Sequence, residues 1–141
     1  MRESSRQSWI PIAALIGVGY AMVGIVFAAP ATHVHAWRLA AWVVSAIAYA
    51  AHIGYERFRL HNPPASAALH VALAVAIGAF GLALGANIHS LSVASAAQHR
   101  QLLRLSLAIW PVITAFPAFL VALAINMVLA RLQPKKLTPR A

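Results

Sequence analysis

The chain has 141 residues, 62% of them apolar, 9% charged and none cysteine; eleven Lys/Arg against two Glu give a net charge of +9. Soluble domains carry roughly 25% charged residues, so this composition describes a small polytopic membrane protein. With Glu3 and Glu56 as the only side-chain carboxylates, a paired-carboxylate hydrolase and an acidic Mg²⁺ or Ca²⁺ cage are excluded within one chain. Without cysteine there is no thiol relay, thiolate metal site or disulfide.

Charged residues divide the chain into uncharged stretches at 7–37, 39–55, 60–99 and 105–130. A helix rises about 1.5 Å per residue and needs roughly 20 residues to cross a hydrocarbon core. The expected fold is therefore an all-α integral membrane protein, a single four-transmembrane-helix bundle with spans at about 9–29, 38–57, 65–88 and 105–130 and a basic tail at 131–141.

The first span closes at Pro30. Its basic start and Ala29-Pro30-Ala31 imitate a signal peptide, but the apolar run exceeds the roughly 7–15 residues of an h-region, so an uncleaved span is expected. Ala13, Gly17 and Ala21 recur every four residues, as do Gly24 and Ala28. Small residues at that spacing let helices touch backbone to backbone, and in lipid such packing drives association.

The second span is short, and Arg38 and Arg57 at its ends can snorkel to the interface. Arg38, Trp42, Ser45, Tyr49, His52 and Glu56 fall alternately four and three apart, on one helix face. Unsatisfied polar groups in lipid cost several kcal/mol, so this stripe is expected to face the bundle interior. Ser45, Tyr49, His52 and Glu56 form its inner polar face, and Val43, Ala46, Ile47 and Ala50 on the other side suit lipid.

The third span follows the breaker Asn62-Pro63-Pro64. It carries a literal G-x-x-x-G, Gly81 to Gly85, with Ala74 and Gly78 before it, so Gly78, Gly81 and Gly85 join Gly17, Ala21 and Gly24 as expected packing residues. His70 shares a face with Ala74, Ile77 and Gly81 and returns at about the depth of His52. In the fourth span Pro111 and Pro117 each remove an intrahelical bond, freeing the carbonyls of Leu107 and Ile113. A kink is expected there, with Thr114 and water or a neighbouring helix taking up the freed groups.

Basic residues accumulate on the cytoplasmic side of membrane proteins. The N-terminus, the second loop and the tail hold eight Lys/Arg and the other side three, so both termini are expected in the cytoplasm, with the bilayer in question the plasma (cytoplasmic) membrane. The tail can also lie on anionic lipid headgroups. Its charge is scattered over loops rather than gathered on a folded face, which argues against nucleic acid.

Three functions follow from these residues. The foremost is a non-catalytic helical bundle acting as a homo-oligomer or as a subunit with other membrane proteins, since loops are short and catalytic groups scarce. A second is an electron-transfer protein in which His52 and His70 ligate haem b, or in which His52, Glu56 and His70 hold a transition metal as a two-histidine, one-carboxylate set. A third is a small oligomeric channel or transporter lined by the polar stripe. No family signature is present. Intramembrane serine protease, zinc protease and quinone–thiol oxidoreductase patterns lack their reactive residues, and a small multidrug transporter would want a carboxylate deep in the first span.

Overall fold

The computed structural model describes residues 9–28, 32–91 and 100–132. They form α1 (Trp9–Ala28), α2 (Val34–Gly54) continued by a π-turn (Tyr55–Arg59), α3 (Pro64–Leu91) and α4 (Arg100–Leu132). All four helices are long and apolar enough to cross a membrane, α2 counted together with its π-turn. The second is the least apolar, with a mean hydropathy of 1.2 against 2.2–2.3 for the others, because it alone carries a polar stripe. His99 and the tail beyond Leu132 lie outside the described residues.

α2, α3 and α4 overrun the expected spans, most of all at two starts. α2 begins at Val34 rather than near 38, after His33 turns the chain in a left-handed conformation (φ 54°) and its carbonyl accepts the Trp37 N–H at 3.2 Å. α4 begins at Arg100 rather than near 105. Arginine is a good helix former, so Arg100 and Arg104 bound the apolar stretch without ending the helix.

The helices run up and down, and the bundle is built on α3. α1 and α3 lie parallel, with Trp9 beside His70, Gly17 against Ala74 and Ile77, Tyr20 against Gly78, Ala21 against Gly81, and Gly24 against Leu82. α3 and α4 are antiparallel and form the largest interface. One end of it is fixed by Asn87, whose side-chain amide donates to the carbonyls of Ala83 (2.8 Å) and Leu103 (2.7 Å). The buried apolar cluster, Ile53, Ala68, Val71 and Ala122, lies toward the other end, where Tyr49, Phe119 and Leu123 pack on it. α2 is the least packed helix. At its start Trp37 meets Phe27 edge-on, with ring centroids 5.7 Å apart. The end of the bundle holding Trp9, the π-turn and Leu132 is called here the terminal end; the opposite one is the loop end.

The small residues of α1 and α3 are used as their spacing implies, with one exception. A Cβ at Gly17 would lie 2.6 Å from Ile77 Cβ and 2.9 Å from the Ala74 carbonyl; one at Gly78 would lie 2.6 Å from Tyr20 Cβ; one at Gly81 would lie 2.8 Å from Ala21 Cβ. Gly85 departs from the expectation, because a Cβ there meets nothing among the described residues. The literal G-x-x-x-G is thus half a contact. The working interface is Gly17, Ala21 and Gly24 against Ala74, Gly78 and Gly81.

α4 passes through Pro111 and Pro117 as one continuous helix. Thr114 does not reach the carbonyls of Leu107 or Ile113. Its hydroxyl donates to those of Trp110 (2.9 Å) and Pro111 (3.1 Å), the back-bonding a threonine makes within its own turn.

Overpacking a tight contact costs about 1–3 kcal/mol. Gly78→Ala is therefore expected to lower the thermal midpoint of the detergent-purified protein, whereas Gly85→Ala leaves it unchanged or raises it through helix propensity. Equal effects at the two positions would contradict the α1–α3 contact.

Candidate functional site

The sequence places a carboxylate and two histidines at one depth, and the structure brings them together at the terminal end. Glu56 has 1% of its surface exposed, and His52 and His70 are also buried. The Glu56 carboxylate divides its two oxygens between neighbours. Oε2 accepts from the Asn62 side-chain amide at 2.6 Å and lies 3.0 Å from His70 Nδ1; Oε1 lies 3.7 Å from His52 Nε2. The first two are hydrogen bonds, and the third is an electrostatic contact beyond hydrogen-bond range. His70 is further held by Trp9, whose ring stacks on it at 4.3 Å between centroids and 8° between planes. Four pieces of chain thus meet at one carboxylate: the start of α1, the end of α2, the loop after it and the start of α3.

The π-turn makes this junction. The Leu60 N–H reaches the Tyr55 carbonyl at 3.2 Å, five residues back, and His61 then takes a left-handed conformation (φ 53°). The chain returns so that the Asn62 backbone N–H donates to the Glu56 carbonyl at 3.3 Å while its side chain donates to the carboxylate. Pro63 follows, and a residue before proline is held in extended geometry. Asn62, apparent in the sequence only as part of a helix breaker, is thus a full member of the site. Trp9, stacked on His70, is a further member that sequence reasoning does not single out, and the buried Asn126 of α4 is likewise passed over. Asn126 is fully buried one turn beyond Ala122; its amide donates to the Ala122 carbonyl at 2.9 Å, while Oδ1 and both ring nitrogens of His52 make no hydrogen bond among the described residues. An asparagine inside a long apolar run near a helix end was the available signal.

The geometry suits mutual satisfaction better than ligation. The carboxylate lies between the two histidines and meets each on a different oxygen, so it occupies the space where a haem iron would have to sit between them. No group of three His, Asp or Glu side chains among the described residues is arranged to hold a metal ion.

The rest of the α2 stripe does something different. Arg38, Trp42, Ser45 and Tyr49 line a groove of about 510 Å³ between α2 and the other three helices. Trp42 is 77% exposed at its lip, Arg38 is exposed, and Ser45 and Tyr49 are half-buried. The expectation that the whole stripe faces the interior therefore holds for Tyr49, His52 and Glu56, while Arg38 and Trp42 are exposed and Ser45 lines the groove. The groove ends at the Tyr49 hydroxyl, which donates to the Ala118 carbonyl of α4. Tyr49 itself packs on the Ile53, Val71 and Ala122 cluster, so the groove and the Glu56 site are separated by packed apolar side chains.

Compared with known proteins, the chain matches no family model, no curated protein and no solved structure.

A buried acceptor that loses its donor costs about 1–3 kcal/mol, and charged groups cost more. Asn62→Ala should therefore destabilise the purified protein by about that amount. Asn62→Asp, which sets a second carboxylate where a donor stood 2.6 Å from Glu56, should destabilise it more. Equal thermal midpoints for the two variants would show that Glu56 does not depend on this contact.

Proposed function

We propose that the chain is a non-catalytic helical bundle that works in the plasma membrane as an oligomer or as a subunit of a larger membrane complex, with both termini in the cytoplasm. The observation that carries the non-catalytic reading is the engagement of Glu56. The one described carboxylate is buried and hydrogen-bonded by Asn62 and His70. A general base or nucleophile must reach its substrate, and this group is turned toward its own helices.

The assembly reading rests on α2. Helices in lipid associate through close packing and interhelical hydrogen bonds. α1, α3 and α4 make extensive contacts with one another, while α2 is attached mainly by Glu56, Tyr49 and the Phe27–Trp37 contact. Its far side presents Val43 and Ile47, both more than half exposed. Packing against another chain would supply to α2 what its own bundle does not. A pore through one copy is disfavoured by the apolar cluster beneath the groove, and haem by the carboxylate between the histidines.

The absence of cysteine makes single-cysteine variants informative. Cysteines placed singly from 43 to 50 in native membranes should cross-link, to the same chain or to another protein, with the 3.6-residue period of one helix face. In the same membranes, His89→Cys should react with an impermeant thiol reagent applied from outside, and Lys136→Cys only after permeabilisation. Absence of cross-linking along α2 together with a monomeric mass would overturn the assembly reading, and reversed labelling would overturn the orientation.

A further inference from the structure

We infer that the groove between α2 and the rest of the bundle is a binding site for an anionic phospholipid, with one acyl chain in the groove and the phosphate on Arg38. The groove, about 510 Å³, falls within the roughly 300–1,000 Å³ of small-molecule sites. Its walls are mainly apolar, with Trp42, Trp110, Val75 and Leu82 among them. A second pocket of about 160 Å³ at the loop end is lined by Gly24, Phe27, Val34 and Arg38. Arg38, with Gly24 and Ala41, lines both, and is the charged residue common to the two spaces.

Depth supports a lipid. From Arg38 to Tyr49 is eleven residues, about 16 Å of helix, running inward from the loop end. Arg38 lies about one turn inside the start of α2, and the 26 residues from Val34 to Arg59 span about 39 Å, more than a hydrocarbon core of about 30 Å. Arg38 is thereby at the edge of the hydrocarbon core, where its long side chain can snorkel to the headgroups, while the groove below it is at acyl-chain level. Trp42 and Trp110, both at least half exposed on the groove, are the residue type that settles at that boundary.

Charge complementarity selects an anion. Glu56, the one described carboxylate, lies eighteen residues along α2 from Arg38, about 27 Å away, and is held by Asn62 and His70. The planar guanidinium fork matches two oxygens of a phosphate. A zwitterionic headgroup also carries a phosphate, but its own cation offsets that charge beside the guanidinium, so a net anionic headgroup is preferred. The groove is open along its side between α2 and the other helices, and an acyl chain enters it sideways from the bilayer.

The test is native mass spectrometry of the full chain in a neutral detergent, titrated with dioleoyl phosphatidylglycerol or with dioleoyl phosphatidylcholine. The wild type should retain the anionic lipid about tenfold more strongly, a factor equivalent to 1.4 kcal/mol. Arg38→Gln should bring the two lipids to parity, Arg38→Lys should keep part of the preference, and Ser45→Trp, which fills the groove and leaves Arg38 in place, should weaken both. Thermal midpoints recorded without lipid identify any variant that fails to fold, and the lysine variant then decides the question of charge. Equal retention of the two lipids by the wild type, or an unchanged preference in Arg38→Gln, would overturn the proposal. So would unchanged binding in Ser45→Trp, which would mean headgroup attraction at the surface only. A lipid-free dimer that Ser45→Trp converts to monomer would instead give the groove to a second copy. Lipid retention is read per chain whatever the oligomer mass, so this result is independent of the assembly reading.

Discussion

A carboxylate buried by its own helices is shut off from water, and the terminal end of this protein is arranged around that constraint. Glu56 can be buried only if donors converge on it, and those donors come from separate parts of the chain: Asn62 after the π-turn and His70 on α3, with His52 within electrostatic reach. Meeting the need of one side chain thus fixes where α2 ends, how the chain reverses and how α3 begins. The Trp9 stack on His70 adds the start of α1 to the same junction.

The remaining packing follows the logic of lipid, in which apolar surface gains nothing by leaving the bilayer and helices must fit closely to adhere. α1 and α3 achieve this with glycine and alanine, α3 and α4 through the Ala122 cluster and Asn87. α2, carrying arginine, two hydroxyl residues and a tryptophan along one face, cannot pack as closely. It is held firmly where its polar groups find partners and stands away where they do not. The firm half is the Glu56 junction, and the open half is the groove topped by Arg38. One stripe of residues at a single helical spacing therefore yields both a structural clamp and a candidate lipid site.

Much of this was legible in the sequence. Span number and approximate position followed from the scarcity of charge, the close-packing faces of the first and third helices, though not their pairing, from small residues four apart, and the meeting of His52, Glu56 and His70 from helical spacing and matched depth. What was not legible depends on the path of the chain between helices. The π-turn has no signature beyond Asn62-Pro63-Pro64, and Asn62 becomes a partner of Glu56 only because five residues wind wider than an α-helix. Periodicity places Gly81 and Gly85 on one face, yet their neighbours depend on how the helices diverge, and Gly85 meets none among the described residues. Periodicity also cannot distinguish an interior from a groove, which is why Arg38 and Trp42 face open space while sharing a stripe with a buried carboxylate.

The central claim is that Glu56 and His70 act as one unit joining α2 to α3, and a double-mutant cycle on stability tests it most directly. Glu56→Ala, His70→Ala and the double variant would be unfolded in detergent by titration with a denaturing surfactant. Residues joined in a buried hydrogen-bonded network show coupling of about 0.5–3 kcal/mol, so the double variant should lose markedly less stability than the two single losses added together. Additive losses, or a Glu56→Ala variant as stable as the wild type, would contradict the account.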